Sequence, residues 1–441
     1  MSALKALLVL GAVMALGAST AAAQDGDDNG AITINPEGQM TLYTVAVPEA
    51  LNLGDVPDTR GVTEALTGTV NRDLKIAGYF DLLDPKGFLG DPKAEGMSPK
   101  MNNWFNIGAQ GLVKVGYTII GNSVAVDMRL YAVDKDQRVS LPPPYDKPQK
   151  LPLEPSKLRY HAHGFVNQVI KHFTGTEGFF QNYIVYVKRV GKNKELYRVA
   201  PDGSDETKLT NDKTINMIPN YTKGRIFYTS FRNRNPSLFV LEGGKSRPYT
   251  QYRGLNTGAV MSPDGKYVAA VLSKDGNAEI YLLNPKTGDV IKRLTNSYGI
   301  DTSPSWSPDG QQIAFVSDRH GSPQIWVMKW DGSNARRVTF QGDYNQTPDW
   351  NPRGDLIAFT ARDERNKFDI FTVNVGTGQI ARLTQGQGNN EEPTWSPNGR
   401  YVAFTSTRTG EPKLYVMTAD GRIQNMVSMG KGSYLTPSWG R

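Results

Sequence analysis

The 441-residue chain contains no cysteine. Disulfides, zinc–thiolate centres and cysteine nucleophiles are therefore excluded, and the fold must be held by its core alone. Histidine is scarce as well. There are four, and His161, His163 and His172 precede residue 175. A Ser-His-Asp site or a metal centre in the remaining chain would have only His320 to draw on. His161 and His163 are two apart on a predicted helix, where their side chains diverge by about 200°. They are read as structural or solvent-facing, and no metal site is expected. A G-x-S-x-G elbow, a phosphate loop and a complete dinucleotide fingerprint are also missing; Gly376-Thr377-Gly378 reads as a turn. No catalytic residue, cofactor or metal is assigned, and the chain is not expected to be an enzyme. Net charge is +7, but the basic residues are scattered rather than run together. That argues against nucleic acid and for a solvated surface with a bias toward acidic partners.

Long apolar runs are absent except at the start. Lys5 is followed by an apolar stretch from Ala6 to Ala18 and by Ala21-Ala22-Ala23. This pattern predicts a secretory signal peptide over residues 1–23, cut before Gln24. Its core falls short of the ~18 residues of a membrane-spanning helix. An uncleaved anchor is the alternative; a lipid anchor is excluded by the missing cysteine. A soluble, exported protein with no membrane insertion is expected. The Gln24–Gly30 stretch, QDGDDNG, is acidic and glycine-rich and is expected to be disordered when free.

What the chain has in plenty is turn residues, with 45 glycines and 27 prolines, and a repeat. SPSWSPDG, TPDWNPRG and EPTWSPNG place Pro304, Pro348 and Pro393 at intervals of 44 or 45 residues, and TPSWGR places Pro437 another 44 on. Weaker copies lie at Pro219 and Ala259. The aromatic slot then reads Tyr221, Met261, Trp306, Trp350, Trp395 and Trp439. A period of about 40–45 residues with four strands per unit indicates a propeller. In 301–340, PSWS, QIAFVS, QIWVMK and RRVTF read as strands a to d, separated by the PDGQ turn, the DRHGSP loop and the Asp331-Gly332 hairpin. Strands b to d recur six times. The first set, from residue 183, lacks a strand a, and the last strand a has nothing after it. The two halves complete one another, which predicts a six-bladed ring closed by the C-terminal strand rather than an open solenoid.

Residues 24–175 lack the period. Val62, Leu66, Val70 and Leu74 lie at i, i+4 steps of a helix stopped by Gly78. Leu158, Ala162, Phe165, Val169 and Phe173 share one face of a second helix that ends at Gly175. Between them, GLVKVGYTIIG and SVAVDMRLYAVD read as strands, the latter with Val124, Val126, Met128 and Leu130 on a buried face. LPPPYDKPQKLPLEP reads as a proline-rich connection. The expected organisation is a signal peptide at 1–23, a flexible segment at 24–38, a small α/β domain at 39–178 and an all-β six-bladed β-propeller at 179–441.

With catalytic motifs missing, a binding surface remains. The a-to-b and c-to-d turns at one end of the ring are monotonous. The other end varies and surrounds the channel mouth. Just before the proline slots stand Met217-Ile218, Thr257-Gly258, Thr302-Ser303, Gln346-Thr347, Glu391-Glu392 and Leu435-Thr436, and the b–c loops add Arg232, Arg319, Arg362 and Arg408. Varied groups on a rigid ring suit recognition of a protein or peptide.

DLKIAGYFDLLDP, LRYHAHGFVNQVIKHFTGTEGFF, the repeated P-x-W-S-P-D-G and the closing P-S-W together resemble the TolB family, periplasmic components of the Tol–Pal system. The resemblance covers nearly the whole mature chain. It implies a periplasmic, monomeric adaptor for outer-membrane integrity and constriction at division, exploited by some bacteriocins. It implies that the peptidoglycan-associated lipoprotein (Pal) binds at the mouth. The family's contact positions fall on Leu255, Gly258, Thr302 and Ser303, where a histidine and an acid common in the family are replaced by Leu255 and Ser303. It also implies that TolA binds the N-terminal segment, here through Ala31, Ile32, Thr33, Ile34 and Asn35. Two other readings compete: a peptidase-type propeller acting with a separate hydrolase chain, which hydrolysis of model peptides would support, and a glycan-binding propeller, for which no aromatic platform is visible.

Overall fold

A computed structural model describes residues 42–428 and 430–440. The predicted signal peptide and the predicted Ala31–Asn35 binding segment lie outside the described residues.

In the first domain, strand Tyr43–Ala46 pairs in parallel with Phe80–Leu82 and with Gly111–Ile120. Gly111–Ile120 forms a long antiparallel hairpin with Ser123–Ala132. The sheet is thus mixed. The period-two face of Val124, Val126, Met128 and Leu130 is buried as the alternation requires. The proline-rich connection carries one more strand, Gln149–Pro152, at the free side of Ser123–Ala132. Proline is tolerated there because an edge strand does not need every N–H.

The α-helices among the described residues are α1 (Thr69–Ala77), α2 (Met101–Phe105) and α3 (Pro155–Thr174). The first predicted helix differs from expectation. It opens with a π turn over Glu64–Gly68 before α1 begins. The cause lies in the spacing. Residues four apart drift by about 40° per step on an α-helix, and a wider turn reduces that drift. Val62, Leu66, Val70 and Leu74 are consequently all fully buried. Gly78 ends α1 and Gly175 ends α3, both in the left-handed conformation that glycine enters without steric cost.

Six four-stranded antiparallel sheets follow. The a strands are Asn216–Thr222, Asn256–Met261, Asp301–Trp306, Asn345–Trp350 and Asn390–Trp395 for blades 2 to 6. Blade 1 is completed by Tyr434–Trp439, which pairs with Ile184–Val190 and sets Trp439 opposite Ile184. The ring is closed as the repeat phase predicts.

Two sets of bonds tie neighbouring blades. At the centre, the residue after the proline slot accepts the N–H of the next blade's aromatic. Trp350 N–H donates to Ser305 Oγ (2.9 Å), Trp395 N–H to Asp349 Oδ2 (2.7 Å), Trp439 N–H to Thr394 Oγ1 (3.2 Å) and Tyr221 N–H to Ser438 Oγ (2.9 Å). The last two span the closure. Further out, a buried group at the start of strand c joins the threonine after strand d to the first residue of the next strand a. Asp369 accepts from Thr384 Oγ1 (2.6 Å) and Asn390 Nδ2 (2.8 Å); Gln324 accepts from Thr339 Oγ1 (2.8 Å) and Asn345 Nδ2 (2.8 Å). In these two seams, each buried polar group named finds a partner across the seam.

The domains share one core. Phe179 lies 4.1 Å from the Tyr401 ring and 5.4 Å from Trp439, and Tyr401 Oη donates to the carbonyl of Ala77 (2.7 Å).

Candidate functional site

Each a strand carries the same irregularity. Its pairing with strand b skips two residues, between Met217 and Asn220, Thr257 and Val260, Thr302 and Ser305, Gln346 and Asp349, Glu391 and Thr394, and Leu435 and Ser438. The skipped pair is a bulge. Its second residue is proline in five blades, which fits because proline has no N–H to give the ladder. Its first residue has positive φ in all six: Ile218 (51°), Gly258 (59°), Ser303 (52°), Thr347 (49°), Glu392 (60°) and Thr436 (44°). Only one is glycine. Three are β-branched, and five precede proline, which favours extended backbone instead. Such backbone persists only where the surrounding structure over-determines it, and here the closed ring holds it in all six blades.

These six residues line the mouth of a central channel with a cavity of about 580 Å³. Of the mouth residues expected from sequence, Ile218, Thr257, Gly258, Thr302, Ser303, Thr347 and Glu392 contribute to its wall. Met217, Leu255, Gln346 and Glu391 are half-buried and lie outside it. Sequence reasoning missed the deeper wall, where Tyr221, Met261, Trp306 and Trp439 of the aromatic slot meet Pro263, Pro308 and Pro352 of the a–b turns. The slot was visible; which of its side chains reach the channel depends on blade tilt.

Polar side chains line the channel on every blade, and a hydrogen-bonded set of them joins blades 5, 6 and 1. Glu392 N–H donates to Thr360 Oγ1 (3.0 Å), whose oxygen lies 2.8 Å from that of Thr347. Glu392 Oε2 accepts from Thr436 N–H (2.6 Å) and Thr405 Oγ1 (3.3 Å). Burial pushes the Glu392 carboxyl up to about 7 against these donors, and the neighbouring Glu391 adds to the rise. Burial also raises Glu391. One pole of the mouth thus carries two carboxyls held toward their protonated forms. Across the ring, the loops beside blades 3 and 4 expose Tyr298, Ile300 and Phe340.

The b–c arginines need correction. Arg319 lies over the Trp326 ring (4.7 Å) and donates to Ser317 Oγ (2.8 Å) and Asp301 Oδ2 (2.8 Å). Arg408 repeats this with Tyr415, Ser406 and Asn390, and Arg232 with Phe239, Ser230 and Asp212. Arg362 is held by Asp343 (2.7 Å). They brace their blades, because a guanidinium can stack and donate in plane at once.

His161 and His163 diverge as expected. The His161 ring lies 4.8 Å from that of Tyr145 in a tilted arrangement, and burial pushes it down to about 4. His163 contacts Asp73 instead (2.7 Å). Among the described residues, Asp73, His163 and Asp202 are the one group of potential metal ligands that lies close together. No helix among them is long and apolar enough to cross a membrane.

Residues 31–139 match the family model described as the TolB amino-terminal domain, and residues 170–441 the one described as the TolB beta propeller domain. The Tol-Pal system protein TolB of Myxococcus xanthus (strain DK1622) is 42% identical over 90% of each chain. That of Anaeromyxobacter dehalogenans (strain 2CP-C) is 39% identical, over 84% of this chain and 85% of its own. Among solved structures, TolB from Acinetobacter baumannii superposes with a TM-score of 0.77 at 26% identity, covering 91% of this chain and 97% of that one. A closed propeller with a strained mouth, behind a mixed α/β domain, thus agrees with the matches to both halves: the chain belongs to the TolB family of Tol–Pal system proteins.

Proposed function

We propose that this Tol–Pal component is a periplasmic binding adaptor rather than an enzyme, and that the channel mouth holds the peptidoglycan-associated lipoprotein. The observation that carries the reading is the ring of six positive-φ residues opening onto an apolar channel. A rigid, concave, mostly apolar surface with a few fixed polar groups is suited to a protein segment. Contacts come from Thr302 and Ser303 with Ile218, Thr257, Gly258, Thr347 and Glu392 in the wall, and from Met217, Leu255, Gln346 and Glu391 on the rim. Residues 1–23 direct export, and the 24–38 segment binds TolA through Ala31–Asn35. The monomer so placed links the two partners, supporting outer-membrane integrity and constriction during division. Bacteriocins that exploit the system compete for the same surfaces.

The test is retention of the lipoprotein from an envelope extract on the immobilised protein. Wild type retains it; Ser303→Arg and Thr302→Ile lose it with melting temperatures unchanged. Undiminished retention by both variants would remove the mouth from the account. Melting temperatures that fall in step with the loss would assign these residues to stability.

A further inference from the structure

Away from the mouth, a buried cluster of charge joins the two domains. Asp73 comes from α1, His163 from α3, and Asp202 from the turn after strand Asn193–Val199 of blade 1. All three are buried. His163 Nδ1 lies 2.7 Å from Asp73 Oδ2, and His163 Nε2 lies 3.8 Å from Asp202 Oδ1, in ion-pair range but beyond hydrogen-bond length. Asp73 Oδ1 and His163 Nε2 have no hydrogen-bond partner. The Phe180 ring stacks over His163 and closes one face to water.

The remaining charged groups come from the same three elements. Arg72 of α1 donates to Asp202 Oδ2 (3.2 Å) and shares the exposed Glu64 on its solvent side. Arg159 of α3 pairs with Asp205 of the blade 1 turn. Within the seam there are two guanidinium charges and three carboxylates. They cancel only when the Asp73–His163 pair carries a proton. Loss of that proton leaves one uncompensated negative charge where water cannot reach it, which is costly. A metal ion would face a filled site, since Asp202 Oδ1 already accepts from Ser204 N–H (2.9 Å) and Oγ (2.6 Å).

We propose that Asp73, His163 and Asp202 form a proton-operated clasp between the two domains, tight while the pair holds its proton and loosened when the proton leaves.

The direction agrees with the titration of both groups. Burial pushes the Asp73 carboxyl up to about 7, against the lowering pull of His163. Burial opposes the charge on His163, but Asp73, Asp202 and Asp205 outweigh it and raise the imidazole. The native state therefore binds protons more tightly than the unfolded chain at both groups. By linkage, the Asp73 share of the clasp's stability is full at acid pH and falls as pH rises from about 4 through 7, and the His163 share falls above 6.5. The apolar anchor at Phe179 does not titrate, so the change is centred on the clasp, where α1, α3 and the blade 1 turn meet.

Hydrogen exchange of the full chain, corrected for intrinsic rates, reads this directly. Protection over 69–77 and 200–206 in the wild type is expected to fall about tenfold between pH 6 and pH 9, one pKa unit's worth. Asp73→Asn removes one carboxylate and should hold high protection at both pH values. His163→Gln leaves the proton to Asp73 alone, freed of the lowering pull of the imidazole, and should keep protection high at pH 6 and shift the fall to higher pH than in the wild type. A wild type without the slope, or an Asp73→Asn slope equal to the wild type's, would overturn the clasp. Loss of wild-type protection at pH 6 on adding EDTA would assign the cluster to a metal instead.

Discussion

Glu392 combines a strained backbone, a place in the channel wall and a carboxyl raised to about 7 by burial. Its native form holds a proton that an unfolded glutamate, titrating near 4.5, releases. The native state is thus penalised progressively as pH rises from about 5 to 8. We predict that Glu392→Gln, which can still accept from Thr436 N–H, melts at the same temperature as wild type at pH 5 and at a higher one at pH 8. Thermal melts at both values check this; a variant less stable at pH 8 would contradict it. At this scale the sequence was legible in kind but not in direction. Arg319 and Arg408 were recognisable as loop cations. Their capture by Trp326 and Tyr415 depends on a stacking geometry that spacing along the chain does not encode.

At the level of elements, the seam between blades 3 and 4 departs from its neighbours. Strand a begins with asparagine in blades 2, 3, 5 and 6 but with Asp301 in blade 4. Asp301 and Glu279 are both fully buried, and Asp301 Oδ1 and Glu279 Oε2 have no hydrogen-bond partner. Burial raises the Asp301 carboxyl, Ser317 and Arg319 lower it, and the Glu279 charge raises it further. Blade 6 shows the satisfied version, in which Asn390 donates to Asp369 and accepts from Arg408. Asp301→Asn should reproduce it and stabilise the protein by about 1–3 kcal/mol, the usual penalty for an unmade buried bond. The gain should be larger at pH 8 than at pH 5, since burial disfavours the ionised Asp301 carboxyl that higher pH imposes. Denaturant titration at the two values measures it, and destabilisation at pH 8 would show the carboxylate to be required. The repeat announced where each a strand begins. The bulge within it was hidden, because a register shift is a property of two strands, and residues such as Ile218 and Thr347 give no local sign of positive φ.

Taken whole, the molecule depends on its last strand. Tyr434–Trp439 closes blade 1, bonds to blades 6 and 2, and sends Trp439 into the core shared with the first domain. Trp439→Ala should therefore cost about 3–5 kcal/mol, as for other buried tryptophans. Trp330→Ala, at the far end and stacked only on Tyr267, should cost about 1 kcal/mol. Equal costs would mean that closure does not hold the ring together. This architecture was the most legible part of the sequence, because the phase of a repeat survives even where single positions vary. The partition of the mouth into wall and rim was not, since blade tilt decides it.

The central claim is that the mouth, not the monotonous end, meets the lipoprotein. Photo-crosslinking from p-benzoylphenylalanine at Thr347 in the mouth and at Asp331 in a far-end turn tests it most directly. The account predicts a covalent adduct with the peptidoglycan-associated lipoprotein from Thr347 and none from Asp331; an adduct from Asp331 with none from Thr347 would contradict it.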